Sequence, residues 1–169
     1  MKRKTRFLVY AAILAALYVA LTYLQNMLLP GTTSMAIQLR ASEALCIFAF
    51  FTPAAVVGLT VGCFLFNLSY AHTMFLDILV GTGATLLATG GMYLSRRWTV
   101  KGYPLLGMLL PAVCNGVLVG WELDLYMGGG FWLNALYVAL GEAIVLLTLG
   151  TALFYALKVR HLDERLRNI

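Results

Sequence analysis

Met1-Lys2-Arg3-Lys4-Thr5-Arg6 runs directly into Phe7-Leu8-Val9-Tyr10-Ala11-Ala12-Ile13-Leu14-Ala15-Ala16-Leu17-Tyr18-Val19-Ala20-Leu21-Thr22-Tyr23-Leu24. A basic leader followed by an uncharged apolar run has two readings, a cleaved secretory signal or a retained first membrane helix. This run exceeds the roughly 7–15 residues of a signal's apolar region, and no small-residue cleavage site is clear. It is therefore read as the first transmembrane helix.

The rest of the chain repeats the pattern. Of 169 residues, 62% are hydrophobic and 11% charged, where a soluble domain averages roughly 45–50% and about 25%. A water-soluble core of this size cannot hide so much apolar surface. Apolar runs bounded by charge, Gly or Pro predict helices near 7–29, 41–52, 54–69, 75–95, 103–122 and 131–157. A span needs about 20 apolar residues, so six of them, two short, use the whole chain as one membrane domain, 1–169. Pro53 suits the first turn of the third helix, after a tight turn.

Orientation follows from the basic residues. Lys2, Arg3, Lys4 and Arg6, then Arg96, Arg97 and Lys101, then Lys158, Arg160, Arg165 and Arg167 all fall on one side of a six-span bundle. By the positive-inside rule that side, with both termini, is cytoplasmic. The net charge of +5 thus reports topology, and no nucleic-acid partner is expected. Arg40 alone faces outward. Cys46, Cys63 and Cys114 lie in apolar segments without metal-site spacing; they read as small buried hydrophobes, with no metal expected.

Sorted by depth, most remaining polar groups collect near the outer helix ends: Gln25, Asn26, Gln38, Arg40, Glu43, Asn67, Asp77, Glu122 and Asn134. Ionisable groups within spans cost about 2.5–3.5 kcal/mol each on insertion scales and usually face a bundle interior or wet cavity. Their convergence predicts an outward-opening polar pocket. Tyr23, Tyr70, Trp121, Tyr126, Phe131 and Trp132 ring the same end, either as an interfacial belt or as stacking surfaces for a ligand. His72 reads as a loop residue.

Helical spacing adds detail. Asn115 and Glu122 are seven apart and share a face, as do Thr60 and Asn67. Asp77 stands above Gly81 and Ala84, a smooth surface open to a ligand or a neighbouring helix. Glu142 lies about eleven residues into the last helix, ~16 Å deep. It contacts either the ligand or an internal partner such as Arg40. Arg40 and Glu43, three apart, could instead form a local surface pair. Ala12, Ala16 and Ala20 make a small-residue stripe that serves either partner docking or packing within the bundle.

Nucleotide and catalytic motifs are not found in the sequence. Gly81-Thr82-Gly83-Ala84 lacks the lysine of a phosphate loop, and neither G-x-S-x-G nor H-E-x-x-H occurs. The chain reads as a binding subunit powered by something else.

Ile37-Gln38-Leu39-Arg40-Ala41-Ser42-Glu43-Ala44-Leu45 is the most specific string in the chain. With Phe50-Phe51-Thr52-Pro53-Ala54-Ala55, Gly58, Gly62, Cys63 and Asn67, then Leu76-Asp77-Ile78, Gly81, Ala84 and Thr85, it resembles the QueT family of substrate-binding (S) components of energy-coupling factor (ECF) transporters. Asn115, Gly116, Gly120 and Glu122, and Phe131-Trp132-Leu133-Asn134-Ala135-Leu136-Tyr137 with Gly141-Glu142, continue the resemblance. It implies uptake of queuosine precursors, which are 7-deazaguanine bases. In such a complex two ATPase subunits consume ATP to drive a transmembrane coupling subunit, and this chain supplies specificity. The implied binding set is Gln38, Arg40, Glu43, Asn67, Asp77, Asn115, Glu122, Trp132, Asn134 and Glu142, with docking through Ala12, Ala16 and Ala20. Another vitamin or ring compound remains open as the substrate, as does a different class, a membrane enzyme or a scaffold.

Overall fold

The structure, a computed structural model, describes residues 3–32, 38–70 and 75–167. Lys2, Ile37 and His72, and the side chains of Tyr70 and Arg167, lie outside the described residues. Helix α1 covers Arg3–Leu28, a 3-10 helix Ala41–Phe50, α2 Pro53–Tyr70 and α3 Phe75–Ser95. A short α4, Leu105–Met108, leads into α5, Leu110–Met127. Helix α6, Phe131–Val145, continues through a π turn, Leu146–Gly150, into α7, Thr151–Val159, before the terminal α8, Leu162–Arg167.

Among the described residues four stretches are long and apolar enough to cross a membrane: Arg3–Leu28, Phe75–Ser95, Leu105–Met127 and Phe131–Val159. Ala41–Phe50 and Pro53–Ser69 are shorter apolar helices. The six expected helices are all present, but the second and third fall short of a span by length. The 3-10 form partly compensates, because ten residues at about 2.0 Å rise reach ~20 Å where an α-helix would reach ~15 Å.

That short helix need not face lipid. It packs against α1, α2, α3, α6, the π turn and α7, and eight of its ten residues are buried. Around it, α1 packs on α2, α2 on α3, α3 on α5 and α5 on α6. Its two ends differ in chemistry. Ser42 and Glu43 lie at the start, whereas Phe50 and Phe51 at the other end pack around Phe154, with Phe51 stacked on it at 5.6 Å and Tyr103 meeting it edge-on. The aromatic plug closes the end where Arg3, Arg96 and Arg97 gather.

Polarity is inverted relative to a soluble protein. Leu8, Leu17, Leu87, Leu136 and Ile144 are exposed, while Glu43, Asn67, Glu122 and Glu142 are buried. Lipid would cover the first set at no cost, and the interior must satisfy the second.

The alternatives for the alanine stripe separate cleanly. Ala11 and Ala15 are buried, and Ala12, Ala16 and Ala20 are exposed. Gly58 and Gly62 of α2 explain the difference: a Cβ at Gly58 would lie 2.5 Å from the Ala11 carbonyl oxygen, and one at Gly62 would lie 2.9 Å from that of Ala15. Small residues on both helices bring the backbones together. Internal packing therefore uses the stripe one residue away and leaves Ala12, Ala16 and Ala20 uncovered.

Candidate functional site

The inner face of α1 carries Tyr18, Thr22 and Gln25, at spacings of four and three that put them on one side of a helix. Each reaches the start of the 3-10 helix. The Tyr18 hydroxyl donates to Glu43 Oε1 at 2.6 Å, and the Thr22 hydroxyl donates to Ser42 Oγ at 2.8 Å. Gln25 Oε1 accepts from the Ala41 amide at 2.7 Å, while its Nε2 donates to the Leu39 carbonyl. Cys46 Sγ adds a second bond to Glu43, at Oε2 and 3.2 Å. Glu43 is thus an interior acid, only 2% exposed, which removes the surface-pair reading with Arg40.

Arg40, the residue before the 3-10 helix, is the electrostatic centre. Its guanidinium acts on Tyr18, Cys63, Asp77 and Glu43, on Glu122 and on Glu142. Four acids from the 3-10 helix, α3, α5 and α6 thus share the electrostatic influence of one cation. Glu142 also interacts with Glu43 and with the Asn115 side chain as a hydrogen-bond partner. The expected sharing of a face by Asn115 and Glu122 holds, since both are buried on α5.

Asn67 joins from α2. Its Nδ2 donates to the Asp77 carbonyl oxygen at 3.0 Å, and a Cβ at Gly81 would lie 2.7 Å from that nitrogen. The smooth surface below Asp77 is therefore approached by α2. Gly81 lies inside α3, where its carbonyl accepts from Thr85 Oγ1 at 3.0 Å, so the stretch from Gly81 to Ala84 is helical and forms no phosphate-cradling loop.

Several buried oxygens of this cluster make no hydrogen bond to any of the described residues: both of Glu122, Oε2 of Glu142 and Oδ1 of Asn67. Unpartnered carboxylate oxygens in a dry interior cost more than almost any other polar defect. Their clustering puts unused hydrogen-bonding capacity in one place. The cluster expected to line an outward-opening pocket is buried, with Glu43, Glu122 and Glu142 each 2–3% exposed. Gln38 is buried beside it, and its backbone carbonyl presses on α6 at Gly141, where a Cβ would lie 2.3 Å away.

Two residues expected in the set stand apart. Trp132 is 83% exposed and meets Phe131 edge-on at 4.9 Å. Together with exposed Trp121 and Tyr126, it fits an interfacial belt. Asn134 is buried, but its Nδ2 donates to the Gly128 carbonyl at 2.9 Å. It holds the turn in which Gly128, Gly129 and Gly130 all take positive φ.

Tyr18, Ser42, Cys46 and Cys63 belong to the cluster although the sequence reading did not select them. The polar stripe of Tyr18, Thr22 and Gln25 on the first helix was the signal available for finding Tyr18. Cys46 and Cys63 are free and buried, as expected, but both border the acids.

Comparison with known proteins adds what the geometry cannot. The QueT transporter family pattern matches residues 8–159. A "Queuosine precursor transporter QueT" from Lactococcus lactis subsp. cremoris (strain MG1363) is 39% identical over 89 residues, which cover 51% of this chain and 48% of that protein. The alignment thus spans about half the length of the relative. No solved structure matches the chain significantly. Apolar helices long enough to cross a membrane, a buried polar interior and a family match over most of the sequence lead to one conclusion: the chain is a multi-pass membrane protein that belongs to the QueT transporter family.

Proposed function

We propose that this chain is the substrate-binding subunit of an ECF-type importer of queuosine precursors, and that the acid cluster around Arg40 holds the ligand. The observation that carries the reading is the set of unpartnered buried oxygens on Glu122, Glu142 and Asn67. A 7-deazaguanine base offers ring N–H and amino donors along one edge, which a carboxylate accepts in a bidentate way, and a carbonyl that accepts from a guanidinium or amide. Four carboxyl groups share one arginine, so a cationic substituent would meet an acidic partner among them. An aminomethyl group is such a substituent.

Stabilisation of the purified chain against heat by a panel of 7-deazaguanine bases, guanine and unrelated vitamins tests the assignment. Stabilisation by 7-deazaguanines alone supports it, whereas a response only to another vitamin favours the alternative substrate class. No response to any of them, with product formed from one, would point to an enzyme.

In this reading the bundle crosses the membrane six times with both termini and the 96–101 loop in the cytoplasm, in keeping with the one-sided Lys and Arg distribution. A cysteine placed at Thr99 should stay unlabelled by an impermeant reagent in intact cells; strong labelling would reverse the topology. Energy comes from ATP hydrolysed by two partner subunits acting through a coupling subunit. Exposed Ala12, Ala16 and Ala20 supply the smooth face for that coupling subunit. Ala16→Leu is expected to abolish most transport by the assembled complex while ligand affinity of the isolated chain stays within about twofold, a shift of under ~0.5 kcal/mol. Undiminished transport would exclude docking through this stripe.

A further inference from the structure

The end of the bundle opposite the acid cluster contains a cavity. It has a volume of about 270 Å³, and Arg3, Arg96 and Arg97 line it beside Phe51 and Tyr93. Arg96 is held in place: its Nη1 donates to the Tyr93 carbonyl at 2.5 Å, and its guanidinium lies 3.9 Å from the centre of the Tyr93 ring. Arg97 is exposed beside it. Among the described residues that line this cavity none is acidic. Three guanidinium groups around one space form a site for an anion with several acceptor oxygens, and a phosphate matches the planar fork of arginine best.

A second space adjoins the first. It is an apolar groove of about 550 Å³ bordered by Phe7, Leu8 and Pro53, and it shares Arg3 and Pro53 with the arginine cavity. Leu8 is 65% exposed on the outer side of α1, the side that lipid covers. An occupant that fills both spaces has an anionic head and an apolar tail.

We propose that the two spaces form one binding site for an anionic phospholipid, with the phosphate diester among Arg3, Arg96 and Arg97 and an acyl chain along Phe7 and Leu8. A basic pocket between helices at the membrane surface is the expected chemistry for such a head group. A soluble phosphate would leave the groove empty, and a zwitterionic lipid would bring a choline cation among three arginines.

The test uses the full chain in a neutral detergent and counts bound lipid by native mass spectrometry. Dioctanoyl phosphatidylglycerol should bind saturably, one per chain, at least tenfold tighter than dioctanoyl phosphatidylcholine. Arg96→Gln with Arg97→Gln should erase that preference, and Arg96→Lys with Arg97→Lys should retain most of it. Leu8→Asn should weaken both lipids several-fold. Equal binding of the two lipids by the unmodified chain overturns the proposal without any variant. So does inorganic phosphate or glycerol 1-phosphate that competes as strongly as the lipid, which would make this a soluble-anion site. Unchanged lipid binding by a folded glutamine variant that no longer assembles with partner subunits would make the cleft a protein-docking face and overturns it equally.

Discussion

Glu142→Gln should weaken ligand binding by about 2–5 kcal/mol, by analogy with truncating one partner of a buried charged pair, or roughly 30-fold to several-thousand-fold in Kd. The same change should leave thermal stability unchanged or slightly raised. The asymmetry follows from the site. Glu142 is 2% exposed, one of its oxygens has no partner among the described residues, and Glu43 adds like charge. Neutralising a buried acid of this kind is often neutral or stabilising for the fold. An amide, however, places an N–H where a ligand donor needs an acceptor. Glu43→Gln should also lose affinity, but with some loss of stability, because Glu43 accepts from Tyr18 and Cys46. Titration calorimetry and thermal unfolding of both variants check this. Unchanged affinity with a lowered melting temperature would make these acids structural and shift attention to Asp77, Glu122 and Asn115.

Gly141→Ala is expected to damage both fold and binding. Its Cβ would lie 2.3 Å from the Gln38 carbonyl oxygen and 3.0 Å from the Gln38 carbonyl carbon. The obstacle is backbone, so no side-chain rotation relieves it. Overpacking of this kind costs about 1–3 kcal/mol, and relief would push the segment carrying Gln38 and Arg40 away from α6. Gly83→Ala is the matched control. That position has open space around it, and Ala exceeds Gly in helix propensity by about 0.8–1.0 kcal/mol. Thermal unfolding should show Gly141→Ala well below the parent protein and Gly83→Ala at or above it, with ligand affinity lost only in the first. Parent-like behaviour of Gly141→Ala would mean that the Gln38 segment does not rest on α6.

These expectations also mark what the sequence could and could not reveal. Hydropathy locates the six apolar helices because lipid exposure demands apolar side chains whatever the packing, but it misses the polar α8, Leu162–Arg167. It ended the fifth helix at Glu122, whereas α5 continues to Met127, because an acid that turns inward looks in one dimension like a helix terminator. The 3-10 geometry of Ala41–Phe50 was hidden for a different reason: its environment is six other elements, and composition does not encode them. Two alanine stripes run along the first helix, and only Gly58 and Gly62 on another helix decide which one is internal.

The site was legible in part. Charge at depth identified Arg40, Glu43, Asp77, Glu122 and Glu142, since a buried ionisable group needs a reason to be there. Trp132 enters the set through its aromatic ring and the family resemblance, and its position on the exterior fits an interfacial ring. Tyr18 escaped because a tyrosine within an apolar run resembles core. Its hydroxyl partner is 25 residues away, beyond the reach of local spacing.

The proposed role of the Arg40 cluster requires that the buried acids bind a cationic base. Titration of the purified chain, free of any partner, with 7-aminomethyl-7-deazaguanine and its uncharged 7-cyano counterpart measures this directly. One site per chain is expected, with the amine favoured by about 1.5–3 kcal/mol, the worth of a hydrogen bond to a charged group, or roughly 10- to 150-fold in Kd. Absence of binding by both compounds, or equal affinity for the two, would contradict the assignment of the Arg40 cluster as the ligand site.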